Sequence, residues 1–315
     1  MRRPNSFIVG APKCGTTAMD GYLGQHPDIF MVERKEAHFF GGDLTIRYDR
    51  PTEAEYLSYF RAARQHKRVG ESSVFYLVSK QAASEIKAFS PEAKIIIMLR
   101  NPVDMMYSLH SQLIYNSMED ITDFAAALQA EEHRKKGLRL ASSVRTVDAF
   151  FYREVAKYTP QVERYFDAFG HENVHVIIFD DFKGNTAGEY RKTLEFLGVD
   201  PHFAPEFRTV NPNKRVRSTL LQRLIFKTKL ARSHKFRTRI PEFLRRALRG
   251  LNTVHERRAP MDEGLRKRLQ AELAPEVERL SELLGRDLAH WTAEREPVSS
   301  PGGAGDRQST NRTQP

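Results

Sequence analysis

The stretch from Pro4 to Thr17 constrains this chain more than any other. Ser6-Phe7-Ile8-Val9 is a short apolar run that predicts a buried strand, and Gly10-Ala11-Pro12-Lys13-Cys14-Gly15 predicts a tight turn. Thr16–Gln25 has the residue types and length of a helix, with Ala18 in its first turn. A strand that ends in a glycine-bracketed loop and opens a helix presents unpaired N–H groups at the positive end of the helix dipole. That geometry binds phosphate. Lys13 adds a cation, and Thr16 and Thr17 add hydroxyl donors.

Gly10 and Gly15 keep the GxxxxG spacing of a nucleoside-triphosphate loop. Thr16, however, stands where that motif requires Lys, and the Lys lies inside the loop at position 13. The usual Lys-Ser/Thr pair positions a γ-phosphate and a magnesium ion, so metal-assisted triphosphate hydrolysis fits poorly. What remains is a cradle for a 5′-phosphate, set against the plain alternative of a glycine turn with no ligand.

Further along, apolar strands alternate with helical patterns. Pro27-Asp28-Ile29-Phe30 predicts a turn into a short strand, 33–40 a loop, 52–66 a helix, Val69–Ser73 a strand and 79–89 a helix. Lys94–Leu99 is the clearest buried strand; it stops at Arg100-Asn101-Pro102, where a helix begins and runs to about Tyr115. Helices are expected over 121–131 and 149–169, a strand over Val174–Phe179, and helices over Thr186–Leu197 and 262–284. The expected fold is α/β, a P-loop-like three-layer arrangement with a central parallel sheet and helices on both faces, forming a single domain over 1–292. Ligands of such sheets sit beyond the carboxyl ends of the strands. Residues 293–315, rich in Ser, Gly, Pro and Asn, are expected to be disordered.

Charge enters the argument through one segment. The net charge is +10, and Lys214–Arg249 holds 13 Lys/Arg against the single acid Glu242. Asn211–Ser218 reads as a polar, basic loop, and 219–230 and 241–251 as basic amphipathic helices. Such a field suits nucleotides, acidic glycans or anionic membrane surfaces, and it also describes an ordinary solvated face. Cys14 is the only cysteine, which excludes an internal disulfide and any multi-cysteine metal site. It reads as a small loop residue, with a reactive thiol as the lesser alternative. The scattered histidines lack ligand spacing, so no metal is expected. MRRPNSFIVGAP runs straight into the first strand without an apolar signal region, so a non-secreted, cytoplasmic protein is expected.

Arg100 and Ser108 form a second candidate anchor. An Arg at a strand end can pair bidentately with phosphate, and a Ser two turns into the next helix can lie on the same side. With this second anchor, G-x-P-K-x-G-T-T resembles the 5′-phosphosulfate loop of the sulfotransferases that use 3′-phosphoadenosine 5′-phosphosulfate (PAPS). IIMLRNPVDMMYSLH is similar to their 3′-phosphate segment. Lys35-Glu36-Ala37-His38-Phe39-Phe40 resembles the K-E-x-H-F-F segment of bacterial and glycan-modifying members, and Glu71-Ser72-Ser73-x-x-Tyr76 their second strand end. Ser72 departs from a position that is often Lys in the glycan enzymes.

The resemblance, over about residues 5–291, implies in-line transfer of a sulfuryl group from PAPS to a hydroxyl of a carbohydrate, glycolipid or other small acceptor. It implies donor contacts from Pro12, Lys13, Cys14, Gly15, Thr16, Thr17, Ala18, Arg100 and Ser108. Lys214, Arg215 or Arg217 would close over the 3′-phosphate. Lys13 would neutralise the leaving phosphate, with Glu36 as general base and His38 as competitor or helper. Two other classes stay open. One is a nucleotide kinase or NTPase, with Val176–Asp180 as a magnesium-holding strand. The other is a non-catalytic anion, nucleic-acid or membrane binder using 214–249, although no nucleic-acid partner is expected.

Overall fold

The computed structural model describes residues 2–141, 144–208 and 258–293, and the backbone alone at 214–216 and 253–255. Strands β1 (Ser6–Gly10), β2 (Ile29–Met31), β3 (Arg68–Ser72), β4 (Lys94–Leu99) and β5 (Val174–Ile178) make one sheet in the order β2-β3-β1-β4-β5. Every pairing in it is parallel. Every residue of β1, and all of β4 beyond Lys94, is buried. Strands covered on both faces read as continuous apolar runs, and this is why β1 and β4 are legible without alternation. The covering helices are α1 (Thr16–Leu23), α2 (Glu53–Ser58), α3 (Ala82–Phe89), α4 (Pro102–Tyr115), α5 (Phe124–Gln129), α6 (Glu131–Lys135), α7 (Tyr152–Ala156), α8 (Tyr158–Phe169), α9 (Phe179–Gly184) and α10 (Thr186–Leu197). A long helix, α11 (Glu263–Leu284), follows, capped by Asp262 and stopped at the left-handed Gly285.

The chain leaves β1 toward β2 and β3 on one side and reaches β4 and β5 on the other. The carboxyl end of β1 is therefore the point where the strand order diverges, and it opens the crevice that an α/β sheet uses for ligands.

Several expectations change. The helix expected over 149–169 is a 3-10 turn, Val147–Phe150, followed by α7 and α8. Pro160 lacks an N–H for the Ala156 carbonyl and its ring crowds that carbonyl, so the helix restarts at Tyr158. The helix expected over 121–131 divides into α5 and α6, and the one expected over 52–66 ends at Ser58. Phe179, expected to end the strand begun at Val174, instead opens the helix Phe179–Gly184. Within the basic loop expected at 211–218, Lys214–Val216 is a strand, β6, paired antiparallel with β7 (Thr253–His255). The expected basic helices, and the tail from 294 on, lie outside the described residues.

The C-terminal part locks onto the ligand edge of the sheet. Trp291 is 1% exposed. Its indole N–H donates to Asp180 Oδ2 at 2.9 Å, and its carbonyl accepts from Asn101 Nδ2 at 2.8 Å. Asn101 in turn caps α4 through Val103 N–H at 3.0 Å. Asp180, the candidate magnesium ligand of the kinase reading, is thus engaged by the indole. Replacing Trp291 with Ala is expected to lower unfolding free energy by about 3–5 kcal/mol, the usual cost of removing a buried Trp. Urea denaturation monitored by far-UV circular dichroism checks this.

Candidate active site

The phosphate-loop residues cluster at the end of β1. A Cβ on Gly10 would stand 2.5 Å from Leu77 Cβ and 3.0 Å from the Val74 carbonyl oxygen, so only glycine passes there. Lys13 (φ 66°) and Gly15 (φ 90°) are both left-handed, and Gly15 caps α1 without a side-chain hydrogen bond. At a helix start of this kind the Thr16 and Thr17 amides have no carbonyl of the helix to bond. Thr16 is buried and Thr17 exposed, while the Ala18 amide turns back to the Gly15 carbonyl at 2.9 Å. Cys14 is fully buried, with Sγ 3.4 Å from the Pro12 carbonyl, and burial pushes its thiol up to about 12. The reactive-thiol alternative therefore fails at neutral pH. Lys13 and Arg100 both act electrostatically on Cys14, which places the two cations around one loop.

Arg100 leaves β4 with its guanidinium 4.9 Å from the Phe179 ring centroid and 3.9 Å from Asp104 Oδ2. Ser108 lies on α4, buried, and its Oγ accepts from Arg258 Nη2 at 3.2 Å. Arg258 stacks over Tyr107 at 5.2 Å, and burial followed by the Arg100 charge lowers its pKa. Arg258 on the buried Ser108 hydroxyl, with the Arg100 charge acting on it, makes a site complementary to an anion. Arg258 was not legible as a site residue, because it follows the basic segment and joins Ser108 only when the chain returns past β7. β6 packs beside α4, but the side chains of Lys214 and Arg215 and the whole of Arg217 lie outside the described residues.

The 33–40 segment is a loop, with Glu36 (φ 57°) and His38 (φ 50°) both left-handed. Glu36 N–H donates to the Ser72 carbonyl at 3.0 Å, and Glu36 Oε2 accepts from Val74 N–H at 3.2 Å. Burial pushes the Glu36 carboxyl up to about 7; Lys35 and the Val74 amide oppose the rise, and Glu71 and Asp20 add to it. Its side chain is still 37% exposed, and water reaching it softens this desolvation. His38 is pushed the other way, down to about 4, chiefly by burial. Its Nε2 lies 3.6 Å from Glu36 Oε2.

A buried polar frame holds this loop. Glu71 is 0% exposed, accepts from Ser73 Oγ at 2.7 Å and is bonded by the Tyr56 hydroxyl. The Tyr76 hydroxyl accepts from the amides of Phe39 at 2.9 Å and Phe40 at 3.3 Å. Arg50 donates to the carbonyls of His38, Phe40, Gly41 and Leu44 at 2.9, 2.8, 2.5 and 3.0 Å. Lys35 Nζ reaches back to Thr17 Oγ1 at 3.4 Å and Asp20 Oδ2 at 3.6 Å, tying the Glu36 loop to the phosphate-loop helix. Among the described residues, no group of three or more His, Cys, Asp or Glu side chains could hold a metal.

A glycine-bracketed loop opening a helix, a second cationic cluster and a carboxyl of raised pKa stand at the same sheet edge. Residues 3–246 match the sulfotransferase domain family, and the chain belongs to it. The fold resembles the crystal structure of a sulfotransferase from Alicyclobacillus acidocaldarius with a TM-score of 0.71. That match is at 33% identity and covers 93% of this chain and 100% of the other. Human heparan sulfate glucosamine 3-O-sulfotransferase 6 is 26% identical over 212 residues, 64% of this chain and 56% of that protein. Mouse carbohydrate sulfotransferase 15 is 27% identical over 247 residues, 63% of this chain and 44% of that protein. The membrane-associated sulfotransferase kil1 of Dictyostelium discoideum is 31% identical over 105 residues, 33% of this chain and 22% of that protein. The chain thus spans about half or less of the length of these curated relatives.

The raised Glu36 pKa has a stability consequence. The folded state holds this proton more tightly than the unfolded chain, so the associated stability is present at low pH. It is lost as pH rises from about 4.5 through about 7. Glu36→Gln is expected to raise the melting temperature more at about pH 8 than at about pH 5, as read by thermal unfolding at both values.

Proposed function

We propose that this sulfotransferase moves a sulfuryl group from PAPS to a hydroxyl of a glycan, glycolipid or other small acceptor, with Glu36 as general base. The observation that carries this reading is the pairing of a loop suited to a 5′-phosphate at Gly10–Thr17 with Arg100, at the end of the next strand of the sheet, and the Ser108–Arg258 contact on the helix that follows it. PAPS, when bound, supplies the sulfuryl group, with the 3′-phosphoadenosine 5′-phosphate portion leaving. Lys13, the Cys14 to Thr17 amides and the Thr16 and Thr17 hydroxyls hold the 5′-phosphate side, where negative charge grows as the bond to sulfur breaks. Ala18 closes the first helical turn behind them. Pro12 shapes the loop. Arg100, Ser108 and Arg258 hold the 3′-phosphate, with Lys214, Arg215 or Arg217 closing over it. The new bond forms between sulfur and the acceptor oxygen, whose proton passes to Glu36.

Positioning and charge complementarity dominate such a loose transfer. Between the two candidate bases, the geometry favours Glu36. His38 is nearly buried, while the Glu36 carboxyl is part exposed and titrates near the working range. A carbohydrate acceptor is supported by the relatives that act on heparan sulfate and other carbohydrates. A cytoplasmic location, and contact of 214–251 with an anionic membrane surface, belong to the same proposal. The charge of that segment supports the membrane contact. No helix among the described residues is long and apolar enough to cross a membrane.

Titration of 3′-phosphoadenosine 5′-phosphate without magnesium tests the donor site. It is expected to bind more tightly than ADP. Arg100→Ala and Arg258→Ala are each expected to weaken it about 30-fold or more, the effect of removing a charge-assisted partner. Binding no better than ADP sinks the reading. Glu36→Gln is expected to lower kcat about 10²–10⁴-fold with nucleotide affinity unchanged. The acid limb of the wild-type rate profile is expected near the raised Glu36 value of about 7, since only the ionised carboxyl accepts the proton.

A further inference from the structure

The two ring nitrogens of His38 meet unlike surroundings. Nδ1 lies 2.9 Å from the Glu36 carbonyl oxygen and 2.6 Å from the Tyr48 hydroxyl. Nε2 is buried without a hydrogen-bond partner and faces Glu36 Oε2 at 3.6 Å. A carbonyl only accepts, so it suits a hydrogen on Nδ1, whereas a hydroxyl also donates and so serves a bare Nδ1. The ring can therefore offer either a hydrogen or a lone pair to Glu36 while staying neutral. An ionised Glu36 wants a hydrogen on Nε2, and this requires a donor at Nδ1; Tyr48 is that donor. A protonated Glu36 suits the opposite tautomer, with Nδ1–H turned to the Glu36 carbonyl and Nε2 accepting from the carboxyl.

We propose that Tyr48 is a positioning residue for the Glu36 carboxylate, acting through His38: by donating to Nδ1 it places a hydrogen on Nε2, facing Glu36, whenever that carboxyl is ionised. Its function rests on the reading of Glu36 as base. Burial, followed by the Glu36 charge, raises the Tyr48 pKa and keeps the hydroxyl hydrogen in place. The other groups that bear on this set are Lys35, Glu71 and Asp20 on Glu36, Arg50 on His38, and Arg34, Arg50 and Arg145 on Tyr48. Arg50 also fixes the loop backbone through the His38 carbonyl, so the ring has a defined place between its partners.

Nitrogen-15 spectra of the histidine rings in the full-length protein, with His38 assigned by its loss in His38→Gln, test this directly. In the wild type the hydrogen is expected on Nε2 above the Glu36 titration and on Nδ1 below it. In Tyr48→Phe, which keeps the ring, the Nδ1–H form is expected throughout. The acid limb of its rate profile is expected to move up by about half a unit to one unit, because the hydrogen facing the ionised carboxyl across 3.6 Å is lost. Unchanged affinity for 3′-phosphoadenosine 5′-phosphate shows that the variant is folded. A wild-type tautomer that ignores pH, or an acid limb that coincides in the two proteins, overturns the proposal. Should Tyr48→Phe fail to fold, the wild-type spectra alone decide it. Should Glu36→Gln keep full turnover, the base assignment fails separately, and the spectra still report on Tyr48.

Discussion

Burial of the central strands on both faces governs the rest of this molecule. Phe7, Ile8 and Val9 of β1 and Ile95–Leu99 of β4 are at most 1% exposed, so no polar side chain is accommodated along their length. Polar chemistry is displaced to the strand ends, and the divergence of strand order at β1 makes its carboxyl end the place where an opening exists. Gly10, Glu71 with Ser72, and Arg100 stand at or beside the ends of three adjacent strands for this reason.

At that edge, opposite electrostatic problems are solved side by side. Lys13, Arg100 and Arg258 gather positive charge near a helix N-terminus, an arrangement whose self-repulsion an anionic ligand relieves. At the neighbouring loop, desolvation raises Glu36 to about 7 and lowers His38 to about 4, so at pH 7 the imidazole is neutral and the carboxyl is near its midpoint. A part-exposed acid and a buried base close together are both tuned by restricted access to water. Lys35 joins the two regions and opposes the rise at Glu36, which keeps the carboxylate form accessible.

Holding two left-handed residues, Glu36 and His38, in one short loop requires a rigid support. The support is polar and buried. Glu71 anchors Tyr56 and Ser73, Tyr76 receives the Phe39 and Phe40 amides, and Arg50 collects four loop carbonyls. Each group is satisfied by another, the condition under which a buried network rigidifies a structure instead of weakening it. A second buried cluster, Glu119 accepting from Arg134 at 2.7 Å and from Tyr152 at 2.8 Å, ties the helices beyond α4 together, although Arg134 Nη1 there has no hydrogen-bond partner.

Local chemistry along the chain was enough to specify β1, β4, α4, α10 and α11, because apolar runs, caps such as Asp262, and stops such as Gly198 and Gly285 act over a few residues. It also specified the strand–loop–helix turns at Gly10–Thr17 and at Arg100–Pro102, since both are short-range patterns that end in a helix start. The break at Lys157 was visible in Pro160 but outweighed by the apolar pattern around it. Arg258, Tyr48, Arg50 and the Glu71 frame could not be read in this way. Arg258 reaches Ser108 across 150 residues, and Tyr48 meets His38 only after the 38–50 loop folds back on itself. The shifts at Glu36 and His38 likewise depend on how much protein surrounds each group. Desolvation is a property of the packed volume, and a sequence carries no measure of that volume until distant segments have closed around it.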